Sequence, residues 1–223
     1  MKFKNIIFDF DGTLVDSKPG VVKTFQKIVE KLTSKQVKEQ EIIQLSGKPL
    51  AQIISILLDT DDEALIKKGS DLFKKYYSKE GLSQNIVYPG IKEMLGLFKN
   101  RFYQLFVVSN KIDLFMTKIL EQHHLKNYFR FILGTSGTDA QSKKPDLVKY
   151  LLTHYKLKKQ ETVMVGDTEN DVIAAKRNLI YSIGITWGYG SESNLINAKA
   201  DKICNSPLEL EQFILGYENR KTN

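Results

Sequence analysis

Two aspartates, Asp9 and Asp11, follow the first apolar run of the chain with one residue between them. In a continuing β-strand, side chains at this spacing project on the same side, so the two carboxylates would repel each other. A hard cation that prefers oxygen ligands, such as Mg²⁺, removes that repulsion. The spacing therefore predicts a magnesium site at the end of the first strand.

A third aspartate, Asp167, also follows an apolar run, and Asp171 lies four residues further, on the expected first turn of a helix. The carboxyl ends of the strands of an open α/β sheet line one crevice. Asp167 is therefore expected near Asp9, where it would complete the metal site, with Asp171 close by. Each aspartate also has a plainer explanation as a strand terminator, a turn residue or a helix N-cap. The metal site is preferred because the aspartates fall at the same end of predicted strands.

Two further polar patterns occur at such positions. Ser109 and Asn110 follow the apolar run at 105–108, where a hydroxyl and backbone N–H groups can hold phosphoryl oxygens. Lys144 stands before a proline that opens a predicted helix, so its ammonium group can point at the carboxylates. Alone, each pattern is equally well explained by a cap residue or a solvated lysine. Positive charge at a helix start opposes the helix dipole, which slightly favours a functional lysine.

Alternating secondary-structure elements must position these residues. Strand-like runs fall at 6–8, 105–108, 131–133, 163–165 and 181–185. Helical patterns separate the later runs, which predicts an α/β fold with a parallel sheet between layers of helices. Residues 17–85 show only helical periodicity. We therefore expect a core domain formed by residues 1–16 and 86–223 and a helical cap domain formed by residues 17–85.

The composition is that of a folded globular protein, with 42% hydrophobic and 26% charged residues. Lysine and arginine exceed aspartate and glutamate by 33 to 26, but the lysines are scattered along amphipathic helices, which argues against a nucleic-acid surface. The single cysteine, Cys204, excludes an intramolecular disulfide and suits a reducing compartment. No signal peptide or bilayer-spanning run is recognisable. These features predict a cytoplasmic protein without a nucleic-acid or membrane partner.

Four segments together resemble the four motifs of the haloacid dehalogenase superfamily, in the same order and spacing. They are DFDGTLVDS at 9–17, Ser-Asn at 109–110, Lys-Pro at 144–145 and GDTEND at 166–171. The first and fourth are specific signals, whereas the second and third mean little in isolation. The intervening helical segment resembles the cap of phosphoglycolate-phosphatase-like and β-phosphoglucomutase-like members. The stretch TWGYGS at 186–191 resembles a segment after the fifth core strand of the phosphoglycolate-phosphatase-like members.

The resemblance implies a Rossmann-like core in which Asp9 is the nucleophile and Asp11 the general acid/base. Mg²⁺ would be held by the Asp9 carboxylate, the Asp11 backbone carbonyl and Asp167, with Asp171 outside the inner ligand set. Dehalogenase members lack an acid/base at the position of Asp11, so this residue indicates a phosphate substrate.

The remaining motif residues would bind the transferred phosphoryl group: Ser109, Asn110 and Lys144. Lys144 would also restrain Asp9. For specificity, Gly47 and Lys48 are the candidates, since they lie in a cap loop that resembles a Gly-x-Pro-Leu stretch of related caps. A turn between two helices is the plainer explanation of that loop.

The expected function is Mg²⁺-dependent hydrolysis of a small phosphomonoester through an aspartyl-phosphate, with phosphoglycolate, a nucleotide or a sugar phosphate as the substrate. Two alternatives stay open. A phosphomutase of the β-phosphoglucomutase type would return the phosphoryl group to a sugar instead of water, and a receiver-like module would be phosphorylated without turnover. The oligomeric state is not readable from the sequence.

Overall fold

The computed structural model describes residues 3–135 and 143–217 of the 223-residue chain. The strands are β1 (Asn5–Phe8), β2 (Val15–Asp16), β3 (Ile86–Val87), β4 (Gln104–Ile112), β5 (Phe131–Thr135), β6 (Thr162–Gly166), β7 (Tyr181–Ile185) and β8 (Lys202–Cys204). The α-helices are α1 (Lys18–Thr33), α2 (Glu39–Ile43), α3 (Leu50–Leu58), α4 (Glu63–Tyr76), α5 (Ile91–Asn100), α6 (Asp113–Gln122), α7 (Lys144–His154), α8 (Glu169–Arg177), α9 (Glu192–Asn197) and α10 (Pro207–Gly216). A π-helical turn, Tyr77–Gly81, follows α4.

A parallel sheet with the strand order β5-β4-β1-β6-β7-β8 forms the centre of the molecule. β1 lies between β4 and β6, and all of its residues are buried. A strand covered on both faces needs apolar side chains on both sides, which explains the run Ile6-Ile7-Phe8. On one face of the sheet, Phe8 belongs to a buried apolar cluster that includes Leu120 of α6. On the other face, Ile7 belongs to a second buried cluster that includes Val148 of α7. The predicted α/β fold is confirmed.

Four of the short strands and helices were not predicted: β8, helix α9 and the two strands of the antiparallel pair β2–β3. β8 has only three residues, and they do not form an apolar run. In the β2–β3 pair, Val15 lies opposite Val87 and Asp16 opposite Ile86. This pair joins the chain entering the helical segment to the chain leaving it. The predicted domain boundaries lie beside the pair, and the division into core and cap stays a prediction.

β4 is longer than the sequence predicts. The apolar run ends at Val108, but the strand continues to Ile112, and its register with β5 shifts between these two residues. Ser109 and Asn110 therefore lie within β4, so the prediction that they follow a finished strand is wrong. The irregular register allows polar residues to continue in an extended conformation at the edge of the crevice.

Helices α1 to α4 pack around a row of aromatic rings. The ring centroids of Phe25 and Phe73 are 4.6 Å apart, and those of Phe73 and Tyr77 are 5.2 Å apart. Tyr77 also contacts Phe115 of α6, at 5.3 Å. The helical segment is thus attached to the sheet side of the molecule by apolar contact as well as by its two chain crossings. No helix in the described ranges is long and apolar enough to cross a membrane.

The central position of β1 makes it sensitive to lost volume. Ile7 is 0% exposed, whereas Ile173 on α8 is 38% exposed. We expect Ile7→Ala to lower the free energy of unfolding by about 2–5 kcal/mol, because it leaves a cavity in a packed sheet. The matched change Ile173→Ala should cost about 1 kcal/mol or less. Urea unfolding measures both, and equal losses would contradict this account of the core.

Candidate active site

The first two acidic residues of the site meet because two parallel strands are neighbours. Phe8 of β1 pairs with Val165 of β6, and the Asp9 N–H donates to the Val165 carbonyl at 2.9 Å. Asp9 and Asp167 thus follow adjacent strands at the same edge of the sheet. Both are buried, with 3% and 0% of their surface exposed.

A third carboxylate joins them from helix α8. Oxygen atoms of Asp9, Asp167 and Asp171 lie within 4.8 Å of one another. Asp171 accepts hydrogen bonds from the Thr168 N–H at 3.0 Å and from its hydroxyl at 2.8 Å, which forms a capping box. Thr168 is therefore the N-cap of α8, and capping does not explain Asp167.

Lys144, at the start of α7, supplies the positive charge of this group. Its ammonium group lies 2.8 Å from Asp9 Oδ1 and donates to Asp171 Oδ1 at 2.6 Å. The Lys144 side chain is 2% exposed. Burial alone would lower the pKa of Lys144, but the charges of Asp171 and Asp9 outweigh it and raise the pKa above its ordinary value. Lys144 therefore stays charged.

One ammonium group does not balance three carboxylates. Burial, with Asp171 nearby, raises the pKa of Asp9 to about 6 despite Lys144. Burial and the charges of Asp9 and Asp171 raise the pKa of Asp167 to about 8. Asp9 Oδ1 is buried and, in the described part of the chain, accepts no well-aligned hydrogen bond. The donor set is hard, buried and short of positive charge, so it fits a divalent cation such as Mg²⁺.

The Asp11 carboxylate lies outside the group formed by Asp9, Asp167 and Asp171. β1 ends at Phe8, so the argument that a continuing strand would place Asp9 and Asp11 on one side is wrong. The chain turns at Gly12, which has a φ of +79°. The Asp11 carboxylate accepts from Lys111 Nζ at 2.8 and 3.2 Å and is not part of the three-carboxylate group. Its backbone carbonyl as a metal ligand stays a prediction.

Lys111 is the site residue to which sequence reasoning gave no role. Its side chain is 8% exposed, and it also donates to the Tyr77 hydroxyl at 3.0 Å. Burial lowers the pKa of Lys111, but Asp11 and Tyr77 outweigh that effect and raise it. A signal was present, because Lys111 lies two residues after Ser109, and alternate residues of a strand share a side.

A pocket of about 100 Å³ connects the acidic site to the helical segment. Of the residues predicted to be functional, it is lined by Asp9, Asp11, Ser109, Asn110, Gly47 and Lys48. The Asn110 side-chain amide donates to the Gly47 carbonyl at 2.8 Å, so the loop of Gly47 lies directly over β4. The lining does not include Asp167, Asp171 or Lys144. Much of the remaining wall is apolar, including Phe25, Ile42, Ile53, Phe73 and Phe115.

Comparison with known proteins gives one family. The family model for haloacid dehalogenase-like hydrolases matches residues 6–185. A phosphoglycolate phosphatase from Vibrio parahaemolyticus is 31% identical over 219 residues, which cover 95% of this chain and 96% of that protein. A 5'-nucleotidase from Pseudomonas aeruginosa is 27% identical over 214 residues and covers 96% of both chains. The similarity therefore extends over nearly the whole chain.

Solved structures agree with the sequence comparison. A crystal structure of a predicted phosphatase from Clostridium acetobutylicum superposes with a TM-score of 0.91 at 34% identity. The match covers 96% of this chain and 99% of that one. The helical segment and the sheet are thus both included in the similarity.

The crowding of carboxylates predicts a pH-dependent response to Mg²⁺. The pKa values of Asp9 and Asp167, about 6 and about 8, lie above the ordinary value of 3.8. Without a cation the folded protein binds protons that the unfolded chain releases, so this pair lowers the free energy of unfolding as the pH rises from about 4 to about 8. A cation replaces those protons. We expect saturating MgCl₂ to raise the Tm more at pH about 8 than at pH about 5.

Thermal unfolding with MgCl₂ or with EDTA measures this effect. In Asp167→Asn protein the gain from Mg²⁺ should be lost at both pH values, because the variant removes one ligand and the aspartate whose pKa is raised more than that of Asp9. A gain that is equal at the two pH values, or that survives in the variant, would show that the cation binds elsewhere.

Proposed function

The chain belongs to the haloacid dehalogenase-like hydrolases, and we propose that it hydrolyses a small phosphomonoester in an Mg²⁺-dependent reaction with phosphorylated Asp9 as the intermediate. One observation carries the proposal. Asp9 is a buried carboxylate that is fixed by Lys144 at 2.8 Å and that lines a pocket together with a second carboxylate, Asp11. A nucleophile and a proton-transfer group are thus at the same end of one small cavity.

In the first half-reaction an Asp9 carboxylate oxygen attacks phosphorus, and the bond from phosphorus to the leaving oxygen breaks. Asp11 gives its proton to the leaving alkoxide, which departs as an alcohol. Before the substrate binds, Lys111 holds the Asp11 carboxylate at the pocket wall through contacts of 2.8 and 3.2 Å, and Asp11 takes up its proton when it leaves this contact. Asp11 must exchange this contact for the leaving oxygen when it acts as the acid.

In the second half-reaction water attacks the phosphoryl group of phosphorylated Asp9. Asp11, now a carboxylate, takes a proton from that water, and the bond between phosphorus and Asp9 breaks. Inorganic phosphate leaves and the Asp9 carboxylate is restored. One residue serves as acid and then as base because it occupies the same side of the phosphoryl group in both steps.

The other site residues bind and orient. Asp9, the Asp11 backbone carbonyl and Asp167 would hold Mg²⁺, which supplies positive charge to the phosphoryl oxygens and to the carboxylates when bound. Ser109, Asn110 and Lys144 bind the phosphoryl oxygens. Asp171 orients Lys144 through its 2.6 Å contact and is not itself a metal ligand.

Residues 17–85 act as a cap that closes over the leaving group, and residues 1–16 and 86–223 form the catalytic core. A pocket of about 100 Å³ favours a small leaving group. The names of the relatives, phosphoglycolate phosphatase and 5'-nucleotidase, support a phosphomonoester but disagree on its alcohol. Lys48 and the Gly47 backbone, which line the cap side, are the proposed specificity residues.

Replacement of the nucleophile tests the reaction. Asp9→Asn should reduce Mg²⁺-dependent turnover of a generic phosphomonoester by more than about 10³-fold, because an amide does not form the acyl phosphate. The matched control is Asp146→Asn, an exposed aspartate on α7, which should leave the rate within about twofold. Initial rates measured over a panel of phosphorylated metabolites give both numbers.

The intermediate itself can be captured. Acid quenching during turnover should leave a phosphoryl group on the peptide that contains Asp9, sensitive to hydroxylamine and absent from Asp9→Asn protein. Full activity in that variant would refute the proposal. A stable phosphorylated Asp9 without turnover would indicate the receiver-like alternative, and transfer to a sugar phosphate primed by a bisphosphate would indicate the mutase.

A separate prediction concerns the substrate. If the leaving group carries a carboxylate, Lys48→Met should lower kcat/KM for phosphoglycolate by about tenfold, because a charge-assisted hydrogen bond is lost. For ethyl phosphate, which has no carboxylate, kcat/KM should change by less than about twofold. Lys48→Arg keeps the charge and Lys68→Met removes an exposed charge from α4, so both should resemble the wild type. Equal losses on both substrates would exclude Lys48 as a discriminating residue.

A further inference from the structure

The segment after β7, residues 186–191, is packed against the active-site loop at backbone distance. A Cβ atom on Gly188 would lie 2.3 Å from the Gly12 carbonyl oxygen and 2.4 Å from Asp167 Cβ. A Cβ atom on Gly190 would lie 1.9 Å from the Asp167 carbonyl oxygen. Neither position admits a side chain without a shift of the backbone. The segment is therefore packed tightly against the loop that contains Gly12 and the loop that contains Asp167.

Tyr189, between these glycines, makes contacts in two directions. Its backbone N–H donates to Asp167 Oδ2 at 2.8 Å. Its hydroxyl accepts hydrogen bonds from the backbone N–H groups of Ser17 at 2.7 Å and of Lys18 at 3.1 Å. The same hydroxyl donates to Asp16 Oδ1 at 2.9 Å. One residue therefore connects a carboxylate of the acidic site with the point where the chain enters the helical segment.

The hydroxyl takes the place of a helix cap. The first N–H groups of an α-helix have no partner within the helix and need an acceptor from elsewhere. Ser17 is the N-cap of α1, but its side chain makes no capping hydrogen bond. The Tyr189 hydroxyl provides the acceptor for the Ser17 N–H instead, and it shares the Lys18 N–H with Asp16 Oδ1, which lies 2.9 Å from that nitrogen. Burial and the charges of Asp11 and Asp16 raise the pKa of Tyr189, so the hydroxyl keeps the proton that it donates.

The hydrogen bond between Tyr189 and Asp16 lies beside both points where the chain enters and leaves the helical segment. Asp16, which accepts from the Tyr189 hydroxyl, lies opposite Ile86 in the β2–β3 pair. The entering strand and the leaving strand are thus fixed together. Helix α1, which begins at this point, contributes Val21 and Phe25 to the pocket wall. The orientation of α1 relative to the sheet therefore sets the shape of the leaving-group end of the pocket.

We infer that Tyr189 is a positioning residue: its hydroxyl fixes the start of α1, and hence the leaving-group wall, relative to Asp167. Tyr189 itself lines the pocket, but it contacts no reacting atom in the proposed reaction, and its hydroxyl acts through α1. The kinetic consequence rests on the proposed phosphatase function, whereas the structural consequence does not. Substrates that touch the α1 wall should depend on the hydroxyl, and substrates too short to touch it should not.

Tyr189→Phe removes the hydroxyl and keeps the ring and the backbone contact to Asp167. Hydrogen exchange followed by mass spectrometry should show exchange at the Ser17 amide faster by about tenfold or more, because it loses its acceptor, whereas the Lys18 amide keeps Asp16 Oδ1 at 2.9 Å. The control is Tyr150→Phe, which removes a hydroxyl from a side chain that is 51% exposed. This control should leave exchange at α1 unchanged.

Steady-state kinetics supply the second readout. In Tyr189→Phe protein, KM for 4-nitrophenyl phosphate should rise by about fivefold or more, while kcat/KM for acetyl phosphate stays within about twofold. The Tm gain from Mg²⁺ should match the wild type, since the N–H donated to Asp167 is retained.

Three outcomes decide the matter. Unchanged exchange at Ser17 would overturn the inference. Equal losses on both substrates together with a lost Mg²⁺ gain would also overturn it, because they indicate general disruption of the site. If the wild type turns over neither substrate, the proposed phosphatase function fails, and the exchange experiment still decides whether the hydroxyl fixes α1.

Discussion

The ion pair between the buried Lys144 and the carboxylates of Asp9 and Asp171 is the interaction on which the proposed active site depends. Removing charges from water is costly, and such a group is stable only if every member keeps its partners. Loss of one partner from a buried pair costs about 3–5 kcal/mol, because the other charge is left uncompensated. Lys144 also starts a helix, where the dipole opposes it. The carboxylates must therefore offset both the cost of burying the Lys144 charge and its repulsion by the dipole of α7.

Topology explains how the partners of this ion pair come together from distant parts of the chain. β1 is the central strand, and β6 is its parallel neighbour, so Asp9 and Asp167 leave the sheet side by side. Helix α8 follows β6 and brings Asp171 back over the same edge. The sheet order alone fixes these aspartates within contact. The helical segment contributes none of these carboxylates, which supports the proposed division into core and cap.

The strands of the sheet interior and the acidic group could be predicted because both have local signals. Buried parallel strands give apolar runs, and Asp9 and Asp167 follow two of those runs. The role of the Tyr189 hydroxyl could not be predicted in the same way, and the alternation along β4 indicates the side that Lys111 faces but not its partner Asp11. The Lys111–Asp11 contact joins residues 100 positions apart, and the Tyr189–Asp16 contact joins residues 173 positions apart. No periodic pattern in the sequence connects these partners. Their partners are set by where loops meet in space, which depends on the finished fold.

The two ends of the pocket are built by different means, and this has a consequence for specificity. Behind the acidic end, Gly12, Gly188 and Asp167 are packed so closely that an added Cβ atom would clash, so little can change there without moving the backbone. At the other end the wall consists of ordinary side chains from helices, such as Phe25 and Ile42. Exchange of those side chains alters the leaving group that fits and leaves the ion pair intact. Relatives with different named substrates, phosphoglycolate and 5'-nucleotides, are what such a division of the pocket allows.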